Sequence, residues 1–229
     1  MNFKQKQELI QFLETVMNED RIELIDKNVN DRTRYITVVL ENIFQPQNAS
    51  AVMRSCDCFG VQDLHVIENS NQYELNPKVV MGSSKWIDLK RYNSKDENTL
   101  DAINHLRSEG YRIVATTPHT NDVLLPDFDL TKGKAAFFFG TELTGLSDVV
   151  MDNADEFVKI PMYGFTESFN ISVSASLVLN HLASALRRSD ISWQLSDEEK
   201  LDLKLEWYKR SLKSGQKMID RFKKSIKSQ

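Results

Sequence analysis

Glycine and proline are scarce in this sequence, at 8 and 5 of 229 residues, well below average usage. That scarcity excludes collagen-like chains and glycine-rich folds built on many tight turns. Cysteine is scarcer still: Cys56 and Cys58 are the only two. They stand two apart in a segment of helical pattern, too close for a disulfide staple and without the further Cys or His ligands of a zinc site. They read as reduced thiols. No apolar run approaches the ~20 residues of a membrane span, and the opening MNFKQKQELI lacks the apolar stretch of a signal peptide. A soluble, cytoplasmic protein is expected. What is present is 41% hydrophobic and 27% charged residues, which excludes disorder and suits one sizeable core, or one domain with helical extensions.

The charge is unevenly spread. From Trp207 to Gln229 eight basic residues (Lys209, Arg210, Lys213, Lys217, Arg221, Lys223, Lys224, Lys227) face one acid, Asp220. A tail at +7 on a chain at −4 leaves −11 for the rest. An acidic body with a basic tail suits local contact with a polyanion through its phosphates. A solvated helix face is the alternative reading of the same run.

Periodicity then organises the chain. Leu9, Leu13 and Val16, with Ile10, Phe12 and Met17, recur at helical spacing and predict one helix ending before Asn28. Tyr35–Leu40 is a β-branched run, followed by a turn and a helix over Ala49–Cys58 that Gly60 closes. Further strands are predicted at Asp63–Ile67, Trp86–Tyr92, Tyr111–Ala115, Ala135–Phe139 and Glu156–Pro161. Helices are predicted at Leu100–Ser108, near Leu146–Met151 and over Ser172–Arg188. Strands alternating with helices imply an α/β fold, a mostly parallel sheet with helices on both faces. After a linker from Ser189, Ser196 and Glu199 make a capping box for a last helix. Its seam would run Leu201, Leu205, Tyr208, Leu212, Ile219, Phe222 and Ile226, with Gly215 at the missing place. Three segments result: an N-terminal helical extension over 1–28, a core over 29–190 and a basic helical tail over 191–229.

No metal site or serine-hydrolase site is visible. His65, His105, His119 and His181 are scattered, HExxH and the nucleophile elbow are absent, and so is the dinucleotide fingerprint GxGxxG. Three segments instead place polar residues at strand carboxyl ends, where open α/β sheets bind ligands. The first is Asn42-Ile-Phe-Gln-Pro-Gln-Asn48-Ala-Ser-Ala-Val-Met-Arg54. Taken alone, Asn48 reads as an N-cap and Arg54 as a surface residue. The second is Gly140-Thr-Glu142-Leu-Thr-Gly145-Leu146, where Gly140 would let backbone approach a ligand, or simply make a turn. The third is Ile160-Pro-Met-Tyr-Gly-Phe-Thr-Glu-Ser168-Phe169-Asn170-Ile-Ser172, where Ser168, Asn170 and Ser172 are too many hydroxyl and amide groups for one cap. Ser172, Ser176 and Ala183 then form a small-residue face that permits close approach of another element, such as a second copy of the chain.

Together these segments resemble the signature motifs of the SpoU/TrmH branch of the SPOUT RNA methyltransferases. The likeness covers roughly residues 35–190, with all three motifs in order and no departure at their polar residues. The helical extensions and basic tail are similar to those of branch members that methylate a tRNA guanosine. The resemblance implies a deep C-terminal trefoil knot, which chains otherwise avoid, and an S-adenosylmethionine site in the knotted loops lined by Thr117, Gly140, Ile160 and Phe169. It implies 2′-O-methylation of a ribose in tRNA, at a D-loop guanosine, by a homodimer whose site borrows residues from both chains, with no metal. Arg54 would be the central catalytic residue and also touch RNA, with Asn48, Glu142, Ser168 and Asn170 positioning the reactants. The tail cations Lys209, Arg210, Lys213, Lys217, Arg221, Lys223 and Lys224 would bind RNA. Ribosomal RNA as substrate, or a knot protein that binds RNA without catalysis, are the alternatives.

Overall fold

In the computed structural model, residues 1–117 and 123–227 are described. His119, and the side chains of Ile226 and Lys227, lie outside the described residues. In chain order the elements are α1 (Phe3–Glu14), α2 (Glu19–Asn30), β1 (Ile36–Glu41), α3 (Pro46–Phe59), β2 (Asp63–Ile67), α4 (Pro77–Val80), β3 (Asp88–Tyr92) and α5 (Thr99–Ser108). Then come β4 (Arg112–Thr116), β5 (Val123–Leu124), β6 (Ala135–Phe139), α6 (Asp148–Asn153), β7 (Glu156–Lys159), α7 (Ile171–Arg187), α8 (Asp197–Ser211) and α9 (Gly215–Lys227). The chain divides into two units, Thr33–Trp193 and a second made from both ends, Met1–Arg32 with Gln194–Gln229.

In the central unit the strands form one sheet of seven in the order β3-β2-β1-β6-β4-β7-β5, every pair parallel. A parallel sheet is covered on both faces, so its central strands are continuous apolar runs. All residues of β1, β2 and β6 are buried. The period of two divides them between the faces. Ile36, Val38, Leu40, Phe137 and Phe139 pack with Val52 and Met53 of α3 and Val178 and Leu182 of α7. Val39, Ala136 and Phe138 pack with Ile103 and Leu106 of α5 and Val150 of α6. Full burial of each such large side chain contributes about 1.5–3 kcal/mol relative to exposure. Because β4 stands between β6 and β7, the loops leaving these three carboxyl ends emerge side by side.

Local chemistry departs from the sequence pattern at four places. The expected first helix is two, since Asn18 caps α2 through the Asp20 N–H; Val16 is exposed rather than part of the buried face. Helix α3 starts at Pro46, a residue preorganised for the first helical position, so Asn48 lies inside the first turn instead of capping it. The last helix also divides, and Gly215 opens α9, where a Cβ would overlap the backbone of Lys209. The small-residue face of α7 is covered within the chain: Ser176 Oγ meets Ser55 Oγ of α3 at 2.8 Å, and Ala183 is buried.

In the unit of chain ends, Leu9, Leu13, Leu203, Trp207 and Tyr208 are buried; Leu203 and Trp207 belong to the core although the expected seam omits them. Lys6 reaches Glu198 at 3.0 Å and Asp202 at 2.7 Å, and Lys204 reaches Glu14 at 2.9 Å and Asp26 at 2.5 Å. Of the tail cations, Lys209 pairs with Glu206 and Arg210 is half-buried, while Lys213, Lys217, Arg221, Lys223 and Lys224 are exposed.

Candidate functional site

The loops after β4, β6 and β7 enclose a cleft of about 390 Å³. Thr116, the last residue of β4, and Thr117 after it line one side, Gly140 to Leu146 line it from the second loop, and Ile160, Met162, Ser168 and Phe169 from the third. Met151, Val158, Ile171 and Val178 supply apolar wall. Thr117, Gly140, Ile160 and Phe169, the four positions expected around a cofactor, are thus all on the cleft, as are Glu142 and Ser168. Such a volume with few polar groups suits a small organic ligand, whose sites span ~300–1,000 Å³.

Beside the cleft the three motif segments meet at one carboxylate. Asn48 Nδ2 donates to Glu142 Oε1 at 2.5 Å, and Asn170 Nδ2 donates to the same oxygen at 3.2 Å and to Asn48 Oδ1 at 3.2 Å. Asn48 also donates to Gln45 Oε1 at 3.1 Å. Asn170 is the N-cap of α7: its Oδ1 accepts from the Ser172 N–H at 2.8 Å and from Ser172 Oγ at 2.6 Å. One residue therefore both starts the helix and orients Glu142. Neither Asn48 nor Asn170 lines the cleft, and neither does Arg54. Six residues beyond Asn48, at 100° each, Arg54 points about 120° away around α3. It is exposed, with no hydrogen bond or ion pair among the described residues.

Gly140 is required for a reason other than ligand approach. Thr141 and Gly145 exchange backbone hydrogen bonds of 3.0 Å in both directions, closing the loop on itself. A Cβ at Gly140 would overlap the Gly145 carbonyl and the Leu146 nitrogen. The loop then runs into Ser147, the N-cap of α6. Ser147 is held by Glu41, whose Oε2 accepts the Ser147 N–H at 2.9 Å and whose Oε1 accepts Ser147 Oγ and Thr99 Oγ1, each at 2.7 Å. Glu41 is 2% exposed. Sequence reasoning missed this carboxylate; its signal was an acid closing a strand of β-branched and apolar residues. Asn42, by contrast, serves structure: at φ 53° its Oδ1 accepts the N–H groups of Asn69 and Ser70 at 2.8 and 3.0 Å.

Burial lowers His65 on β2 to about 3, and its Nδ1 meets the Tyr92 hydroxyl at 2.9 Å, away from the cleft. Among the described residues no group of three or more His, Cys, Asp or Glu side chains gathers to hold a metal. No helix among them is long and apolar enough to cross a membrane.

The chain is similar to known proteins. A tRNA (guanosine(18)-2′-O)-methyltransferase of Borreliella burgdorferi is 46% identical over 204 residues, 89% of this chain and 91% of that protein. The enzyme of that name from Thermus thermophilus is 31% identical over 187 residues, 82% and 92% of the two chains. The crystal structure of the A. aeolicus TrmH/SpoU tRNA modifying enzyme matches with a TM-score of 0.75 at 25% identity, covering 85% of this chain and 98% of that one. The model of the SpoU rRNA methylase family matches residues 35–180, from the first residue before β1 to the middle of α7. All three motif segments and the three loops of the cleft fall within it, and the chain belongs to the SpoU rRNA methylase family.

Proposed function

We propose that the chain methylates a ribose 2′-hydroxyl of tRNA, at the guanosine 18 in its relatives' names, with S-adenosylmethionine as donor. The observation that carries this reading is the meeting of Asn48, Glu142 and Asn170 at one carboxylate on the edge of the cleft. The cleft fits the donor in size and in its mostly apolar wall, and Thr117, Gly140, Ile160 and Phe169 would hold it. The bound sulfonium supplies an electrophilic methyl group.

The remaining chemistry falls to the protein's own residues. A ribose hydroxyl is a poor nucleophile near neutral pH, so it must be held in line and its alkoxide stabilised as the proton leaves. The guanidinium of an arginine is a planar, permanently charged donor in proteins, so Arg54 acts as a cation toward the alkoxide and an RNA phosphate, not as a base. Glu142 keeps Asn48 and Asn170 in register, and Ser168 on the cleft wall orients the ribose. Arg54 lies outside its own chain's cleft, which a homodimer remedies by supplying it to the partner's. An outward apolar pair on α7 supports such a dimer: Val173 and Leu177, 44% and 38% exposed, stand four residues apart. The family's trefoil knot belongs to the same reading, supported by β4 lying between β6 and β7. So does RNA binding by the exposed tail cations, in the cytoplasm where tRNA is found.

Labelled S-adenosylmethionine and tRNA transcripts test the whole. Methyl transfer is expected to a transcript carrying guanosine 18 and not to one with a 2′-deoxy nucleotide there. Transfer to ribosomal RNA alone would favour the ribosomal alternative, and no transfer to any RNA would overturn the reading.

A further inference from the structure

The third motif segment carries two aromatic side chains that the proposed chemistry does not use. Tyr163 is 97% exposed and Phe165 108% exposed, on either side of Gly164. Every residue from 163 to 170 is exposed, and residues 162–169 make no hydrogen bond among the described residues. Burying a ring of this size is among the larger gains available in folding, yet this segment leaves both in water. Their segment borders the cleft, since Met162, one residue before Tyr163, and Ser168, three after Phe165, line its wall.

We propose that Tyr163 and Phe165 stack on unpaired nucleobases of the substrate RNA next to the ribose that is methylated. This rests on the reading of the cleft as a ribose methylation site. RNA loops are recognised through splayed bases laid on aromatic side chains, and such stacking tolerates any base because each has a π face. Phosphate contact is not what this segment offers: residues 160–172 contain no Lys or Arg and one acid, Glu167. The rings also differ from the apolar pair of α7. Val173 and Leu177 are half-exposed on one helical face, the form of a protein contact. Tyr163 and Phe165 are wholly exposed and interrupted by Gly164, with Thr166 and Glu167 following, so each presents faces rather than part of a patch.

Tyr163→Ala, Phe165→Ala and Tyr163→Trp, compared with the wild-type protein, test this. Each alanine variant should weaken tRNA affinity by about 5- to 150-fold, the range expected for one lost base–aromatic stack. S-adenosylmethionine affinity and sedimentation should stay as in wild type. The slope of log affinity against log salt should also stay unchanged, because no phosphate contact is lost. Tyr163→Trp should retain affinity, and its added tryptophan fluorescence should change when tRNA is bound. Alanine variants that bind tRNA as tightly as wild type would overturn the stacking role. A changed oligomeric state would overturn it too, by assigning the rings to contact with a second copy. Wild-type protein that transfers no methyl group to tRNA would instead overturn the reading on which the proposal rests.

Discussion

Within Thr33–Trp193, strands and helices meet through fully buried side chains such as Phe137, Phe138 and Val178. In the unit of chain ends a smaller apolar core is supplemented by Lys6 and Lys204, each between two carboxylates whose side chains are 29–67% exposed. Such partly exposed pairs are worth little, on the order of 1 kcal/mol, and are weakened by salt, whereas apolar burial is not screened. The loops that wall the cleft therefore stand on the unit with the larger apolar core. The exposed tail cations belong to the other. Function and fold should be separable in the first unit at its surface and inseparable in its loops.

The largest effect should come from a residue that contributes nothing to the fold. Arg54→Ala is expected to lower kcat by ~10² or more, the scale of losing a preorganised donor to a developing oxyanion. Its stability should change by no more than about 0.5 kcal/mol, as for other surface sites. S-adenosylmethionine affinity should hold, and Arg54→Lys should recover little because a point charge does not replace a planar fork. Single-turnover methyl transfer at saturating tRNA measures it; a near wild-type rate would remove Arg54 from the chemistry.

Gly140→Val should join the two properties that Arg54 separates. The new side chain overlaps the backbone of Gly145 and Leu146, so the loop must open at a cost of about 1–3 kcal/mol. Thermal melting and donor binding by calorimetry should fall together. A variant that melts normally and loses only binding would return Gly140 to the role of admitting a ligand.

A third effect concerns the sheet alone. Burial lowers His65 to about 3, while the unfolded chain protonates it near 6.5. Between those values the unfolded state holds more protons, so the contribution of His65 is complete above pH ~6.5 and is lost as pH falls. The loss approaches about 1.4 kcal/mol per pH unit. Buried Asp63, raised by its desolvation, acts in the opposite sense in wild type and variant alike. Urea unfolding of wild type and His65→Leu at pH 7 and 5 should therefore show a flatter dependence in the variant. Equal slopes would mean that the imidazole finds solvent.

The smallest effect lies in the unit of chain ends. Replacing Lys213, Lys217, Arg221 and Lys223 by Gln should leave its melting unchanged, since all four are exposed. The salt slope of log tRNA affinity should fall by about 0.7–0.9 for each phosphate contact removed. An unaltered slope would make the tail a solvated face.

Much of this fold is legible from periodicity, because a strand covered on both faces is rich in apolar residues along its length. Asp63–Ile67 and Ala135–Phe139 match their strands residue for residue. Breaks within helical patterns were harder to read. The turns before Asn18 and Gly215 depend on a single side-chain cap and on a close backbone approach, neither of which disturbs the apolar spacing around it.

The residue types of the candidate site were likewise present in the chain as amides, a carboxylate and an arginine at strand ends, where parallel topology gathers loops. That Asn48 meets Glu142 across 94 positions and Asn170 across 122 follows only from β6 lying between β1 and β4. Glu41 holding Ser147, and the small-residue face of α7 closing on α3, have the same origin. Side-chain patterns encode which face of an element is apolar and how its ends are capped. Which faces then meet is settled by strand pairings between distant segments, and those exist only once the sheet has formed.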